Sequence, residues 1–187
     1  MRYNPLLPLA LVLVLASSTS IAAVERLQLE HVQVEDGDTL VLTLDGNQER
    51  VQLAHIDAPE DSENAKLQHD IQRTELDRMV LIELGRAASS HLRVLTADDA
   101  GPFTLVYDPE RRDRYGRLLG DLTDATGRPL GEAMVEDGFA RVLRPRPPGK
   151  PGPAELKDLE ATAISTNLGL WGTHRDTALA WRGVLPE

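Results

Sequence analysis

Cysteine is absent from the 187 residues, so neither a disulfide nor a thiolate metal site contributes to the fold or its chemistry. The five histidines, His31, His55, His69, His91 and His174, fall at no metal-ligand spacing. His55 reads as a strand residue and His91 as a helix-face residue. No internal repeat is present, and beyond the first residues no segment is apolar enough to cross a membrane. An excess of positive charge is also missing. Thirty acidic against 20 basic residues give a net charge of −10, and the average field of such a chain does not attract a polyanion.

What basic charge there is stands in two runs. Arg111, Arg112, Arg114 and Arg117 form the first; Arg141, Arg144, Arg146 and Lys150 form the second, with no acid among them. Singly, each run reads as a solvated strip. The N-terminus is more specific. Arg2 precedes an apolar run, Pro5–Ala16, and small residues up to Ala23. That is the basic, apolar and small-residue pattern of a secretory leader, and the run is shorter than the roughly 20 residues of a membrane span. Residues 1–23 are therefore read as a signal peptide, 24–175 as one domain and 176–187 as a C-terminal tail. The expectation is an exported monomer, periplasmic or extracellular, with no stable membrane insertion after cleavage. The remaining length suffices to bury a core.

Leu27–Glu35 alternates, but Leu27 and Leu29 are out of phase with Val32 and Val34, which predicts a strand bent near Glu30 and His31. Leu40, Leu42 and Leu44 share a face of the next strand, Asp45-Gly46 is a hairpin signal, and a third strand is predicted over Arg50–Asp57. Residues 61–75 are polar and read as a loop or partly helical insertion. Helical spacing predicts an amphipathic helix over 76–94. Two strands follow, Phe103–Tyr107 and Arg117–Leu122, then helices over Leu130–Asp137 and Ala154–Asn167, separated by a proline-rich loop at Pro145–Pro153. Trp171 and Trp181 read as packing residues. The order predicts an α+β fold, a five-stranded OB barrel with about three helices packed outside it.

In a three-stranded meander the end of the third strand lies beside the start of the second, so Asp38 and Asp57 can face one another, with Glu60 just beyond. Two carboxylates at one point repel unless a cation joins them, and oxygen ligands suit calcium or magnesium. A third carboxylate can hold and activate a water. Arg117 can bring a planar donor fork to a phosphate. These are the parts of a phosphodiester-hydrolysing site; the alternative is that each acid only fills its turn.

Four segments, Val34–Leu40, Val51–Glu60, Asp113–Leu118 and Leu168–Trp171, together with Ala133–Ala140, resemble the staphylococcal nuclease (thermonuclease) family in sequence, order and spacing. The resemblance runs from about residue 27 to residue 172. It implies that Asp38 and Asp57 are calcium carboxylates, that Ala58 supplies a backbone carbonyl to the ion, and that Glu60 acts on the attacking water. It implies that Arg117 is one of two catalytic arginines, and that Asp113, Arg114 and Tyr115 contact the nucleotide phosphate. The implied activity is a calcium-dependent phosphodiesterase on DNA or RNA whose products carry 3′-phosphates.

Two departures stand out. Gln52 occupies the position of the family's other catalytic arginine, and a neutral donor is about half as strong as a charged one. Arg50, two residues back on the same strand face, is a possible substitute or simply an exposed strand residue. Arg144 and Arg146 stand where the family places two tyrosines near the base; arginine can stack on a base and also meet phosphate. The competing expectation is therefore a weak or inactive module of the same fold that binds nucleic acid or a protein partner. A structural envelope protein is the third.

Overall fold

The computed structural model describes residues 24–97, 100–143 and 154–183. The signal-peptide reading of 1–23, Arg144, Arg146 and the Pro145–Pro153 loop lie outside the described residues.

The sheet grows from the alternation read in the sequence. Strand β3, Thr39–Leu44, turns at Asp45 and Gly46 into β4, Asn47–Leu53. Both turn residues have positive φ, 50° and 79°, the condition of a two-residue hairpin whose twist matches its strands. Register runs from Leu44 opposite Asn47 to Thr39 opposite Gln52. Leu40, Leu42 and Leu44 are buried on one side.

The bent first strand is two strands. β1, Glu25–Leu29, pairs with β6, Phe103–Arg112, and β2, Gln33–Val34, pairs with β3. The full order is β1-β6-β7-β4-β3-β2, with β7 at Leu118–Thr123 running parallel to β4. β1 and β2 stand at opposite edges of the sheet yet are joined by three residues, so the sheet must curl until its edges meet. This is the expected OB-like barrel, with the bent strand counted once. The predicted third strand is broken: β4 ends at Leu53, His55 takes a φ of 67°, and a separate strand β5, Ile56–Asp57, pairs with β8, Arg141–Val142.

Six helical segments, rather than about three, lie among the described residues. The polar 61–75 segment contains α1, Ala65–Thr74, whose first turn is capped by the Asn64 side chain accepting from Leu67 N at 2.8 Å. α2 spans Arg78–Leu95 and is capped by Asp77. α3, Leu130–Glu136, and α4, Ala154–Ser165, follow as predicted. α5 is Leu170–Thr173 and α6 is Arg175–Arg182. The stretch read as a tail from 176 is thus largely α6, because Ala178 and Trp181 bury completely.

Two apolar clusters result. One fills the barrel with Leu40, Val51, Leu53, Phe103, Leu105 and Leu118. The other joins α1, α2, α5 and α6 through Leu67, Leu81, Leu84, Trp171 and Trp181. Each fully buried side chain of this size contributes about 1.5–3 kcal/mol. Phe139 packs against both clusters.

Candidate active site

Acids enter the cleft from two turns. Asp36-Gly37-Asp38 leads into β3, with Asp38 N donating to Asp36 Oδ1 at 3.0 Å. A Cβ on Gly37 would come within 2.7 Å of the Ala58 Cβ and 2.8 Å of the Ala88 Cβ, so only glycine lets this turn pack onto both α2 and the end of β5. Asp57 ends β5, and Glu60 follows after Ala58 and Pro59. The Glu60 backbone lies directly on Gly85 of α2, where any Cβ would collide with it. Asp38, Asp57 and Glu60 are 1%, 5% and 5% exposed. The Asp38 carboxylate accepts from Thr39 Oγ1 at 3.0 Å and from the Ala58 backbone N–H at 2.8 Å, so the two aspartate turns do come together, although Asp57 sits on β5 and not at the end of an unbroken third strand.

Three cations answer them. Lys66, in the first turn of α1, places Nζ 2.8 Å from Asp57 Oδ1, 2.7 Å from the Ala58 carbonyl oxygen and 2.5 Å from Glu60 Oε1. Asn64 donates to Glu60 Oε2. Arg141 stands opposite Asp57 in the β5–β8 register. It donates through Nε to Asp57 Oδ2 at 2.7 Å, gives NH1 to the Trp181 carbonyl at 2.8 Å, and stacks 4.4 Å over the Trp181 ring.

Arg117 follows the turn between β6 and β7. Its Nε meets Asp113 Oδ2 at 2.8 Å and its NH1 meets Thr39 Oγ1 at 2.7 Å, 3.8 Å from Asp38 Oδ1. Among the described residues its other terminal nitrogen has no hydrogen-bond partner. Asp113 also accepts from the backbone N–H groups of Tyr115 and Arg117. Tyr115 is exposed, with the Arg114 guanidinium 4.7 Å above its ring.

These contacts set the charges. Burial, then the neighbouring Asp38 and Glu60, push Asp36 up to about 8, so at neutral pH it is mostly a protonated acid. Burial alone would raise Asp57 as well, but Lys66 and Arg141 outweigh it and hold the carboxyl below its usual range. Burial would lower Lys66, yet Asp57, Asp38 and Glu60 raise it above the ordinary lysine value. Asp113 is partly buried, which opposes ionisation, but the side chain and backbone of Arg117 keep it low. The carboxylates of Asp38, Asp57, Glu60 and Asp113 thus face the cations of Lys66, Arg117 and Arg141, four against three.

The cleft beside the cluster has a volume of about 1050 Å³, and Gln52, Lys66, Tyr115, Arg117, Arg141 and Arg182 are among its lining residues. A family model described as staphylococcal nuclease homologue matches residues 50–173, which spans β4 to α5 and includes Asp57, Glu60 and Arg117. The chain belongs to the staphylococcal nuclease family. Among its relatives, the SPbeta prophage-derived endonuclease YokF of Bacillus subtilis (strain 168) is 30% identical over 137 residues, 73% of this chain but 41% of that protein. The micrococcal nuclease of Shigella flexneri is 30% identical over 150 residues, 76% of this chain and 72% of that protein. The thermonuclease of Staphylococcus intermedius is 28% identical over 144 residues, 74% of this chain and 73% of that protein. This chain therefore spans less than half the length of YokF and nearly three quarters of the other two.

For a staphylococcal nuclease family member the expected residues are only partly where a calcium site needs them. Asp38, Asp57, the Ala58 carbonyl and Glu60 do converge. Each, however, is already met by the protein: Asp57 by Lys66 and Arg141, Ala58 and Glu60 by Lys66, Asp38 by Thr39 and the Ala58 N–H. Calcium takes six to eight oxygens at about 2.3–2.6 Å. As folded, these donors suit an ammonium and do not fit a resident divalent ion. Among the described residues no group of three or more His, Asp or Glu is arranged to hold a metal ion.

Arg117, Asp113, Arg114 and Tyr115 come together on one wall of the cleft. Arg50 does not join them. Its guanidinium is held by both oxygens of Glu35 at 2.6 Å on the exposed side of the sheet, away from buried Gln52. Gln52 is 4% exposed, and its Oε1 has no hydrogen-bond partner among the described residues. Lys66, Asn64 and Arg141 are site residues that the sequence pattern does not single out. Arg141 had one visible signal, its place at the head of the second basic run. Lys66 sat in a polar stretch without periodicity, and only the α1 cap at Asn64 orients it.

Proposed function

We propose that this family member is an exported phosphodiester hydrolase acting on DNA or RNA. The observation that carries the reading is Arg117: a guanidinium anchored from behind by Asp113 and Thr39, beside a carboxylate cluster, with a free terminal nitrogen in an open cleft. A fork fixed in this way meets charge that develops on phosphoryl oxygens without having to reorganise. In the hydrolysis proposed, a water attacks phosphorus in line, Glu60 orients that water and takes up its proton, the P–O bond opposite the incoming oxygen breaks with the leaving oxygen protonated from solvent, and Arg117 neutralises the charge that grows on the phosphoryl oxygens. Arg114 and Tyr115 offer the strand a charge and a ring face for stacking. The names of YokF, micrococcal nuclease and thermonuclease support a nuclease.

Both Glu60 oxygens are engaged, one by Lys66 and one by Asn64. To accept a proton, one of them must give up its partner, so turnover is expected to be slow. Export rests on the Arg2, Pro5–Ala16 and Ala23 pattern; no helix among the described residues is long and apolar enough to cross a membrane. Mass spectrometry of the exported protein should find a chain beginning near Ala23 or Val24. A chain that keeps residues 1–20 contradicts the leader.

Hydrolysis of labelled single-stranded DNA and RNA by the native protein and by Arg117→Ala tests the activity. Native cleavage that falls about 10²–10³-fold in the variant supports the reading; a variant with full turnover refutes the assignment. One observation favours the second reading, a binding module: Gln52 stands where a catalytic arginine is expected. That reading predicts strand binding by the native protein and cleavage by neither.

A further inference from the structure

We propose that Lys66 is the built-in cation of the acid cluster, its ammonium taking the position between Asp57, Ala58 and Glu60 that a divalent ion would otherwise fill. An ammonium has three N–H donors and no acceptor. All three are used, on a carboxylate, a backbone carbonyl and a second carboxylate, at 2.8, 2.7 and 2.5 Å. The three oxygens come from consecutive parts of one loop, so the loop is folded around this single nitrogen.

The lysine is delivered by architecture. Asn64 caps α1 by accepting from Leu67 N at 2.8 Å, and the same side chain donates to the other oxygen of Glu60. The start of the helix, the Lys66 stem and the Glu60 carboxylate are therefore one unit. Lys66 and Asp57 are 16% and 7% exposed at their side chains, so water does little to screen the pair. The far oxygen of Asp57 is taken by Arg141, and Arg141 is itself held by the Trp181 carbonyl and ring. Every carboxylate oxygen of Asp57 and Glu60 already accepts from a protein donor, three of the four from a cation, so a second cation would have to share them. For a divalent ion to enter, Lys66 must leave, because the two would otherwise share the same oxygens at like-charge repulsion. The consequence for the nuclease reading, on which only this clause rests, is cleavage that does not depend on calcium.

The test uses the full exported chain. Melting of the native protein should not change between chelator and millimolar calcium at matched ionic strength. Lys66→Gln, which keeps a donor and removes the charge, should melt lower in chelator and regain about 5–10 °C with calcium. The added change Asp38→Asn should abolish that gain. A saturable calcium response in the native protein that Asp38→Asn removes would overturn the proposal, and so would a Lys66→Gln protein that gains no calcium response. If Lys66→Gln does not fold, Lys66→Met and the native melting curve carry the decision. Single-stranded DNA cleavage is followed in parallel. Native cleavage unaffected by chelator supports the proposal, and cleavage that needs calcium overturns it. An inert native protein with the expected melting pattern removes the nuclease reading and leaves the Lys66 assignment standing.

Discussion

The two walls of the cleft use arginine in opposite ways. On the wall formed by the β6–β7 turn, Arg117 is held at its Nε and one terminal nitrogen, and its other terminal nitrogen stays open. On the wall formed by β5, β8 and α1, Arg141 and Lys66 are spent on Asp57, Glu60 and backbone carbonyls. The first wall presents charge to a ligand; the second consumes charge inside the protein. Carboxylates that would need an external cation in an otherwise similar cleft here have one attached to the chain.

Breaking the second wall should therefore unfold the protein before it slows it. Asp57→Asn leaves Lys66 and Arg141 facing a neutral amide in a buried place, and removal of one partner from such a pair costs about 3–5 kcal/mol. Denaturant unfolding should show that loss, and a loss below about 1 kcal/mol would mean that the pair is solvated. The first wall should behave in the reverse way. Asp113→Asn removes a charge-assisted hydrogen bond from a pair that is 15% and 11% exposed at its side chains, so stability should fall by about 1.5–3 kcal/mol, less than for Asp57→Asn, while turnover should fall by more than this loss in stability accounts for, because Arg117 loses its anchor. Loss of stability without loss of turnover would show that Asp113 is structural only.

Gln52→Arg sharpens the contrast by adding a second open cation. It should raise turnover about tenfold, or roughly 1.4 kcal/mol, read as initial rate on single-stranded DNA with substrate in excess. An unchanged rate would place the limiting step elsewhere, at the engaged Glu60 for example.

The smallest effect is on acid stability. Asp57 and Asp113 both have folded-state values below those of the unfolded chain. Their stabilisation is complete above the unfolded carboxyl value, about 4, and is lost as pH falls through the depressed folded values. Melting temperature should therefore fall with pH below about 4, and Asp57→Asn should flatten part of that slope. An equal slope in the variant would assign it to other carboxyls.

Much of this was legible in the residues. The Leu40, Leu42, Leu44 alternation and Asp45-Gly46 specify a hairpin by local rules alone, and the break in phase between Leu29 and Val32 marks where one strand splits to serve both edges of the barrel. Asp38, Asp57 and Glu60 sit at strand ends and turns, so the nearness of Asp38 and Asp57 was legible, although the chain reaches it through a break after β4 and not through an unbroken third strand. What was hidden depends on long-range geometry. Asp57 meets Arg141 because β5 and β8 pair across 84 residues of chain. Lys66 reaches the cluster only because a polar segment with no apolar period becomes a helix under an asparagine cap. α6 looked like a tail because its anchors are few, yet Trp181 is fully buried and its indole N–H meets Asp70 at 3.1 Å.

The central claim is that this cluster carries its own cation, and calorimetric titration of calcium into the native protein tests it most directly. The account predicts no saturable binding heat in the native protein and one saturable site in Lys66→Gln. A single calcium site in the native protein, lost on Asp38→Asn, would contradict it.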